Sequence, residues 1–244
     1  PVDHHHGAYD NYVNLPRLDF YPVPSYSVQI GSLIPKGIDN FIIAEKSISV
    51  SNLVNGTTRL QPVVMQIGQA AGILAHLSIK NNKSTREVSI REIQSEILKS
   101  KGYILPYADV ESDHPNFLSY QKIGACGILR SKGVNIGWEN KTFFYPNKDL
   151  EHNHIFLEGW NMLGTPPQEL SIINILEWLH DLNGEDFKTE KELKDYWETL
   201  DLENFSKDRI VKRGEFAALL DDIINPFLRV NVDFLGNLIP NDND

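Results

Sequence analysis

The chain has 244 residues, of which 41% are hydrophobic and 23% are charged, a balance typical of globular proteins that bury a sizeable core in one or two domains. Its net charge of −10 is unevenly placed: residues 1–105 hold ten basic and eight acidic side chains, a balance of +2, whereas the other 139 hold thirteen and twenty-five, a balance of −12. The absence of a basic stripe argues against nucleic-acid binding, no stretch predicts a membrane span, and the single cysteine, Cys126, excludes an internal disulfide.

The first 60 residues predict a β-rich segment. Asp3 and the three histidines at 4–6 raise the question of a metal site. Adjacent residues of a strand point to opposite faces, so at most His4 and His6 can converge. A structural or pocket-lining role is therefore favoured over a metal site.

Two strands are predicted between residues 25 and 45. Residues 25–35 alternate between apolar and polar side chains, which is typical of a half-buried strand. Phe41-Ile-Ile-Ala44 is a short continuous apolar run that follows a turn. Such a run fits a strand covered on both faces, as in a parallel sheet.

The stretch from Gly56 to Ala75 predicts a glycine-led loop and then a helix, with Pro62 in its first turn, where proline is well tolerated. A second helix face carries Gly68 and Gly72. Each mid-helix glycine costs about 1 kcal/mol against alanine, which predicts a close neighbour on that face. The loop N–H groups and the helix dipole favour an anionic or oxygen-rich ligand. The face at helical spacing consists of Val64, Ile67, Ala71, Leu74 and Ser78.

Residues 1–105 contain ordered blocks: Val2-Asp-His-His-His6, Pro35-Lys-Gly-Ile-Asp-Asn-Phe-Ile-Ile-Ala44, and Gly56-Thr-Thr-Arg-Leu-Gln-Pro62 followed by Met65-Gln-Ile-Gly-Gln-Ala-Ala-Gly72. These blocks resemble a family of FAD-dependent oxidoreductases, some members of which carry the name xanthan lyase. The resemblance implies the C-terminal segment of a Rossmann-type domain, with the long helix directing its N-terminus at the flavin. It implies cofactor-binding positions at Ala44, Glu45, Gly56, Thr57, Arg59, Leu60, Gln61 and Gly68.

Two features depart from that family. Where its pattern reads Ala-Gly-Arg, this chain reads Ala44-Glu45-Lys46, so a carboxylate replaces a glycine that lets backbone approach the cofactor. The sequence also has no G-x-G-x-x-G, the phosphate-cradling motif of a Rossmann fold. We therefore expect a C-terminal part of a longer periplasmic or extracellular flavoprotein that does not hold FAD or act alone. No residue can be named as a catalytic acid or base.

Residues 88–101 predict a second helix. Gly102 is expected to end it, and Ser89 with Glu92 is expected to form a capping box at its start. The predicted buried stripe consists of Ile90, Ile93, Ile97 and Leu98.

From residue 106 the composition changes. Tyr107-Ala-Asp-Val110, Ile123-Gly-Ala-Cys-Gly-Ile-Leu129 and Gly137-Trp-Glu-Asn-Lys-Thr-Phe-Phe-Tyr-Pro146 follow one another and resemble an S-layer-homology repeat. Asp149 stands where that repeat has its Thr-Arg-x-Glu motif, whereas Val211-Lys-Arg-Gly-Glu215 matches the motif closely. The resemblance implies an acidic, mainly helical domain over residues 106–244.

This second part also holds the four tryptophans, whose flat rings could stack on sugars. Trp160 and Trp178 lie at helical spacing, where core positions are more common. The four tryptophans are Trp138, Trp160, Trp178 and Trp197.

The run at 186–208 mixes acidic and basic residues and predicts a solvated helix.

The predicted fold class is α+β: few strands and two helices over residues 1–105, then a mainly helical domain. The leading functional hypothesis is the C-terminal part of an FAD-dependent oxidoreductase in bacterial glycan metabolism. The rival is a non-enzymatic module for a glycan or cell-surface polymer, carried by residues 106–244. A polysaccharide lyase ranks last, because cleavage of anionic chains calls for cationic residues and the second part is acidic.

Overall fold

The computed structural model describes residues 25–136, 139–185 and 189–239. Over these residues it combines helices with two small antiparallel sheets, each of two strands. The helices are α1 (Asn52–Thr58), α2 (Gln61–Lys80), α3 (Ile90–Lys99), α4 (Phe117–Ala125), α5 (Ile172–Asn183), α6 (Glu190–Thr199), α7 (Arg213–Ile223) and α8 (Pro226–Arg229). The strands are β1 (Lys132–Ile136), β2 (Glu139–Phe143), β3 (Asn231–Val232) and β4 (Leu238–Ile239). The prediction of a mixed helix and sheet protein is confirmed at this level.

The strands predicted before residue 45 are wrong for the described residues. A single 3₁₀ turn occupies Ile30–Leu33, and Phe41 to Ala44 is irregular, with the Phe41 side chain 53% exposed. Only isolated backbone bonds cross this region, such as Ile43 N–H to the Leu33 carbonyl. A strand needs a partner to bond its backbone groups, and residues 25–60 supply none. Residues 1–24, including the predicted histidine strand, lie outside the described part.

Gly56 was expected in a loop but lies inside helix α1. The Ser51 side chain caps this helix by accepting a hydrogen bond from Val54 N–H. Helix α2 then begins at Gln61 with Pro62 in its first turn, as predicted. Its buried residues include Val64, Ile67, Ala71 and Leu74 of the predicted face, whereas the fifth member, Ser78, is half-buried.

The opposite face of α2 contradicts the sequence-based prediction. A methyl group added at Gly68 or at Gly72 would meet no atom within 4 Å in the described structure. Met65 and Ile79 on this helix are 75% and 83% exposed. The two glycines therefore have no close neighbour here.

Helix α2 also meets, by length and composition, the requirement for crossing a membrane, and it is the one helix in the described ranges that does so. The expectation that no stretch is long and apolar enough was wrong on these two criteria. Core helices of soluble proteins meet the same criteria, so the finding assigns no membrane.

Helix α3 follows the predicted span but differs at both ends. The Ser89 hydroxyl donates to Asn231 Oδ1 (3.1 Å) and Glu92 accepts from Asn81, so the predicted capping box does not form. At the other end, Lys101 takes a left-handed conformation with φ +58°, and Gly102 follows it. The Lys101 N–H donates to the Leu98 carbonyl and the Gly102 N–H donates to the Ile97 carbonyl, which is the Schellman arrangement.

We expect Lys101→Gly to stabilise the protein by about 0.5–1 kcal/mol, because glycine adopts a positive φ without the cost of a β-carbon. The melting temperature should rise by roughly 1–4 °C for a chain of this size. Ser100→Gly is the control, since Ser100 has φ −81° and gains nothing from glycine. A fall in melting temperature for Lys101→Gly would contradict the left-handed assignment.

The apolar interior has three clusters. Two small ones join α2 and α3 to the segment from residue 30 to residue 48. The largest extends from Leu98 to Val230 and is built around α4, α5 and α7. After α8 the chain returns to the segment that precedes α1, where the Leu235 carbonyl accepts a hydrogen bond from Gln29 Nε2 (2.8 Å). This return closes one side of the space between α2 and α3.

Candidate functional site

A cavity of about 530 Å³ lies where five segments meet. Its walls are mainly residues 25–33, the junction of α1 and α2, one face of α3, the loop at 103–106 and the return at 232–236, and Ala125 and Asn140 complete them. Most of the wall is apolar. The apolar wall includes Ile30, Leu33, Val63, Ile67, Ala70, Ile90, Ile93, Ile97, Ile104 and Phe234.

The α1 side of the cavity carries an unsatisfied hydroxyl. Thr58 lines the cavity and is 1% exposed, and its Oγ1 has no hydrogen-bond partner among the described residues. Asn55 Oδ1, one turn earlier on α1 and not on the cavity wall, is also buried with no partner in the described part of the chain. A buried polar atom without a partner costs about 1–3 kcal/mol, so a ligand that reached the Thr58 oxygen with a polar atom would offset that cost.

The α3 side carries a buried cation. Arg91 lines the cavity and is 3% exposed. Its Nε donates to the Val230 carbonyl (3.3 Å), its Nη1 to Gln94 Oε1 (2.9 Å) and its Nη2 to Cys126 Sγ (3.8 Å). The guanidinium also lies 4.5 Å from the centre of the Phe227 ring.

None of these partners neutralises the charge of Arg91. Burial raises the pKa of the Cys126 thiol to about 12, so the sulfur is a neutral thiol near pH 7. Burial also lowers the pKa of the Arg91 guanidinium from its usual value. No carboxylate within the described ranges forms an ion pair with Arg91.

Asp233 is the one carboxylate on the described wall of the cavity. It accepts hydrogen bonds from the N–H groups of Leu235 and Asn237 and from the Asn237 amide, at 2.8–2.9 Å. The Asn237 hydrogen bonds lower the pKa of Asp233. The carboxylate therefore stays ionised and is held within its own turn, so the described wall carries one positive side chain, Arg91 on the α3 side, and one negative side chain, Asp233 on the return.

The structure brings only some of the predicted cofactor positions to this cavity. Thr57 and Leu60 line it. The others do not: Gly56 is buried inside α1, Ala44 is half-buried, and Glu45, Arg59, Gln61 and Gly68 are exposed. Their predicted contacts with FAD stay predictions.

Glu45 has a conformation that explains the glycine in the family pattern. Its φ is +63°, in the left-handed region that glycine adopts without strain. The residue begins a 3₁₀ turn, Glu45–Ser47, beside α2. Its exposed side chain does not line the cavity.

Sequence reasoning missed Thr58, Arg91 and Gln94. Arg91 carried a usable signal, because it lies three and seven residues before Gln94 and Leu98, on the inward side of α3. A charged residue on such a face is uncommon unless it is paired, and it could have been marked as a site residue.

In the described part, three of the four tryptophans and the arginine of the Thr-Arg-x-Glu-like motif are buried or half-buried, and the predicted glycan partner stays a prediction. Trp197 and Trp160 are 0% and 2% exposed, and Trp178 is half-buried against Phe216. Trp138 lies outside the described residues. Arg213, in the predicted Thr-Arg-x-Glu-like motif, is buried and donates to two main-chain carbonyls, those of Phe144 (2.9 Å) and Arg130 (3.0 Å).

The described residues contain no group of three or more His, Cys, Asp or Glu that could hold a metal ion. The histidines at 4–6 lie outside this search, so the prediction that they serve a structural or pocket-lining role rather than a metal site is untested.

The model of the FAD dependent oxidoreductase family matches residues 1–97. No curated protein and no solved structure matches the chain. The matched range contains α1, α2 and most of α3, and therefore both polar sides of the cavity. Residues 1–97 thus contain an FAD-dependent oxidoreductase family segment, as the ordered sequence blocks predict. The xanthan lyase name and the S-layer-homology likeness stay predictions.

Proposed function

We propose that the FAD-dependent oxidoreductase family segment at residues 1–97 supplies the wall against which the flavin ring of an FAD site lies. The ring would contact the junction of α1 and α2, where Thr57, Thr58 and Leu60 line the cavity. The observation that carries the proposal is the unpartnered Thr58 hydroxyl inside the segment that resembles the family signature.

The residues present fit a flavin ring. Val63, Ile67 and Ala70 offer an apolar surface to a flat ring, and the Thr58 hydroxyl can donate to or accept from its polar edge. The N-terminal end of α2 adds the positive end of a helix dipole. These residues would bind and orient the ring and exclude water from one face of it.

When bound, a flavin supplies hydride transfer, and the protein supplies orientation and electrostatics. The phosphates of FAD need a separate cradle, and this sequence has no G-x-G-x-x-G to provide one. We therefore propose that the chain recognises the ring but is not a competent oxidoreductase alone. A role in glycan metabolism outside the cytoplasm remains part of this proposal, supported only by the family resemblance.

The test uses riboflavin, which has the ring without the pyrophosphate. We expect the 244-residue chain to quench riboflavin fluorescence saturably and to bind FAD no more than about threefold more tightly, a difference below 1 kcal/mol. Thr58→Val should weaken riboflavin binding by about 2- to 10-fold, since one hydrogen bond contributes about 0.5–1.5 kcal/mol. The same variant should stabilise the ligand-free protein by roughly 1 kcal/mol, because it removes an unsatisfied hydroxyl.

Thr85→Val is the matched control. Thr85 is also buried, at 3% exposed, and its hydroxyl also has no partner, but it does not line the cavity. It should stabilise the protein similarly and leave riboflavin binding unchanged. The proposal fails if riboflavin does not bind, or if both variants change its affinity equally.

A further inference from the structure

We infer that the α3 side of the cavity binds an apolar organic acid whose anionic group pairs with Arg91. The inference concerns a ligand other than the flavin and requires only the cavity, so it stands or falls independently of FAD binding. It assigns a ligand class to the α3 side of the cavity, in addition to the flavin ring proposed for the α1 side.

The first argument is the cost of burying a charge. An ionised side chain is expensive to remove from water unless it is paired and hydrogen-bonded. Arg91 is 3% exposed and pairs with no carboxylate of the described residues. Its partners are one carbonyl, one amide oxygen and one neutral thiol. An anion in the adjoining cavity would compensate the charge that these neutral groups leave uncompensated.

The second argument is the donor count. A guanidinium has five N–H donors in a fixed plane, which suits two-pronged recognition of a carboxylate. The contacts to Val230, Gln94 and Cys126 use one donor on each nitrogen. One N–H on each terminal nitrogen is left, and Arg91 belongs to the cavity wall. These contacts and the Phe227 ring also hold the guanidinium in place, so little side-chain freedom would be lost on binding.

The third argument is the rest of the wall. Around Arg91 the cavity is lined by Ile90, Ile93, Ile97 and Ile104, and its volume of about 530 Å³ is in the range of small-molecule sites. Asp233, the one acidic side chain on the described wall, is held by its own turn. An apolar body with one anionic group therefore matches the α3 side of the wall, where Arg91 is the charged side chain.

The probe for this site is 8-anilinonaphthalene-1-sulfonate, an aromatic body with one anionic group, and its uncharged counterpart is N-phenyl-1-naphthylamine. We expect the full chain to bind one sulfonate probe per molecule, with displacement by decanoate. Arg91→Met should lower the affinity for the sulfonate probe by about 10- to 100-fold, the range for a hydrogen bond to a charged group. The uncharged probe should bind this variant within about threefold of wild type, a difference below 1 kcal/mol.

Arg130→Met is the matched control, because Arg130 is exposed and lies outside the cavity wall. Its substitution removes one positive charge, as Arg91→Met does. It should leave both probes unaffected. Unchanged sulfonate binding in Arg91→Met, or an equal loss of both probes, would overturn the inference and leave Arg91 as a structural brace between α3 and the C-terminal return.

Ala70→Trp tests the location of the binding site if Arg91→Met does not fold. Ala70 lies on the α2 wall, and a large ring there would fill the cavity without touching the arginine's own hydrogen bonds. Both probes should then lose binding. Sulfonate binding that survives Ala70→Trp would place the probe elsewhere and overturn the inference.

Discussion

Gly124→Ala is expected to destabilise the protein by about 3 kcal/mol, at the upper end of typical overpacking costs. Gly124 lies within α4. A methyl group added there would overlap the Tyr107 hydroxyl oxygen and lie 2.6 Å from Leu105 Cδ1. Both neighbours belong to or pack on the largest core cluster, so they have little room to move. The melting temperature should fall by roughly 6–12 °C.

Gly68→Ala is the control with the opposite expected sign. Gly68 is also inside a helix, but its added methyl would meet open space, so the protein should gain about 0.5–1 kcal/mol. Adding Tyr107→Phe to Gly124→Ala should restore part of the loss, because it removes the overlapping oxygen but not the Leu105 contact. If Gly124→Ala stabilises the protein, α4 does not pack on Tyr107 as described.

Trp197→Ala is expected to destabilise the protein by about 4 kcal/mol, within the range for a large buried aromatic side chain. Trp197 of α6 is fully buried, its Nε1 donates to the Glu203 carbonyl (3.1 Å), and its ring meets Phe205 edge-on with centroids 5.8 Å apart. The change removes this packing and leaves a cavity. The melting temperature should fall by roughly 8–16 °C.

The same variant separates the structural role of Trp197 from the sugar-binding role that the sequence left open. A stacking platform on the surface would lose glycan binding while keeping its melting temperature. Trp197→Phe should recover part of the stability but not the Glu203 hydrogen bond. An unchanged melting temperature for Trp197→Ala would show that α6 does not bury this ring.

Helices α2 and α3 were predictable from the sequence because helix formation depends largely on local spacing. Val64, Ile67, Ala71 and Leu74 recur at intervals that place them on one side of any helix, and these side chains are buried. Pro62 marked the start of α2 for an equally local reason, since its fixed φ and missing N–H suit a first turn.

The irregular conformation of Phe41–Ala44, where the sequence predicts a strand, could not be predicted in the same way. An apolar run shows that burial is favourable but does not supply the neighbouring strand that must bond its backbone. Within the described residues no such neighbour is present, and the Phe41 side chain is 53% exposed. The capping box at Ser89 failed for a related reason, because Asn231, far along the chain, competes for the serine hydroxyl.

By itself, the sequence determined the two helices of residues 61–99, the order of the blocks that resemble the oxidoreductase family, and the acidic character of residues 106–244. These properties depend on residue identity and short-range spacing. The cavity was decided only by the tertiary structure, because its walls come from segments as far apart as Thr58 and Phe234. Whether Arg91 faces water or an apolar interior depends on those distant segments closing over it, and no local pattern encodes that closure.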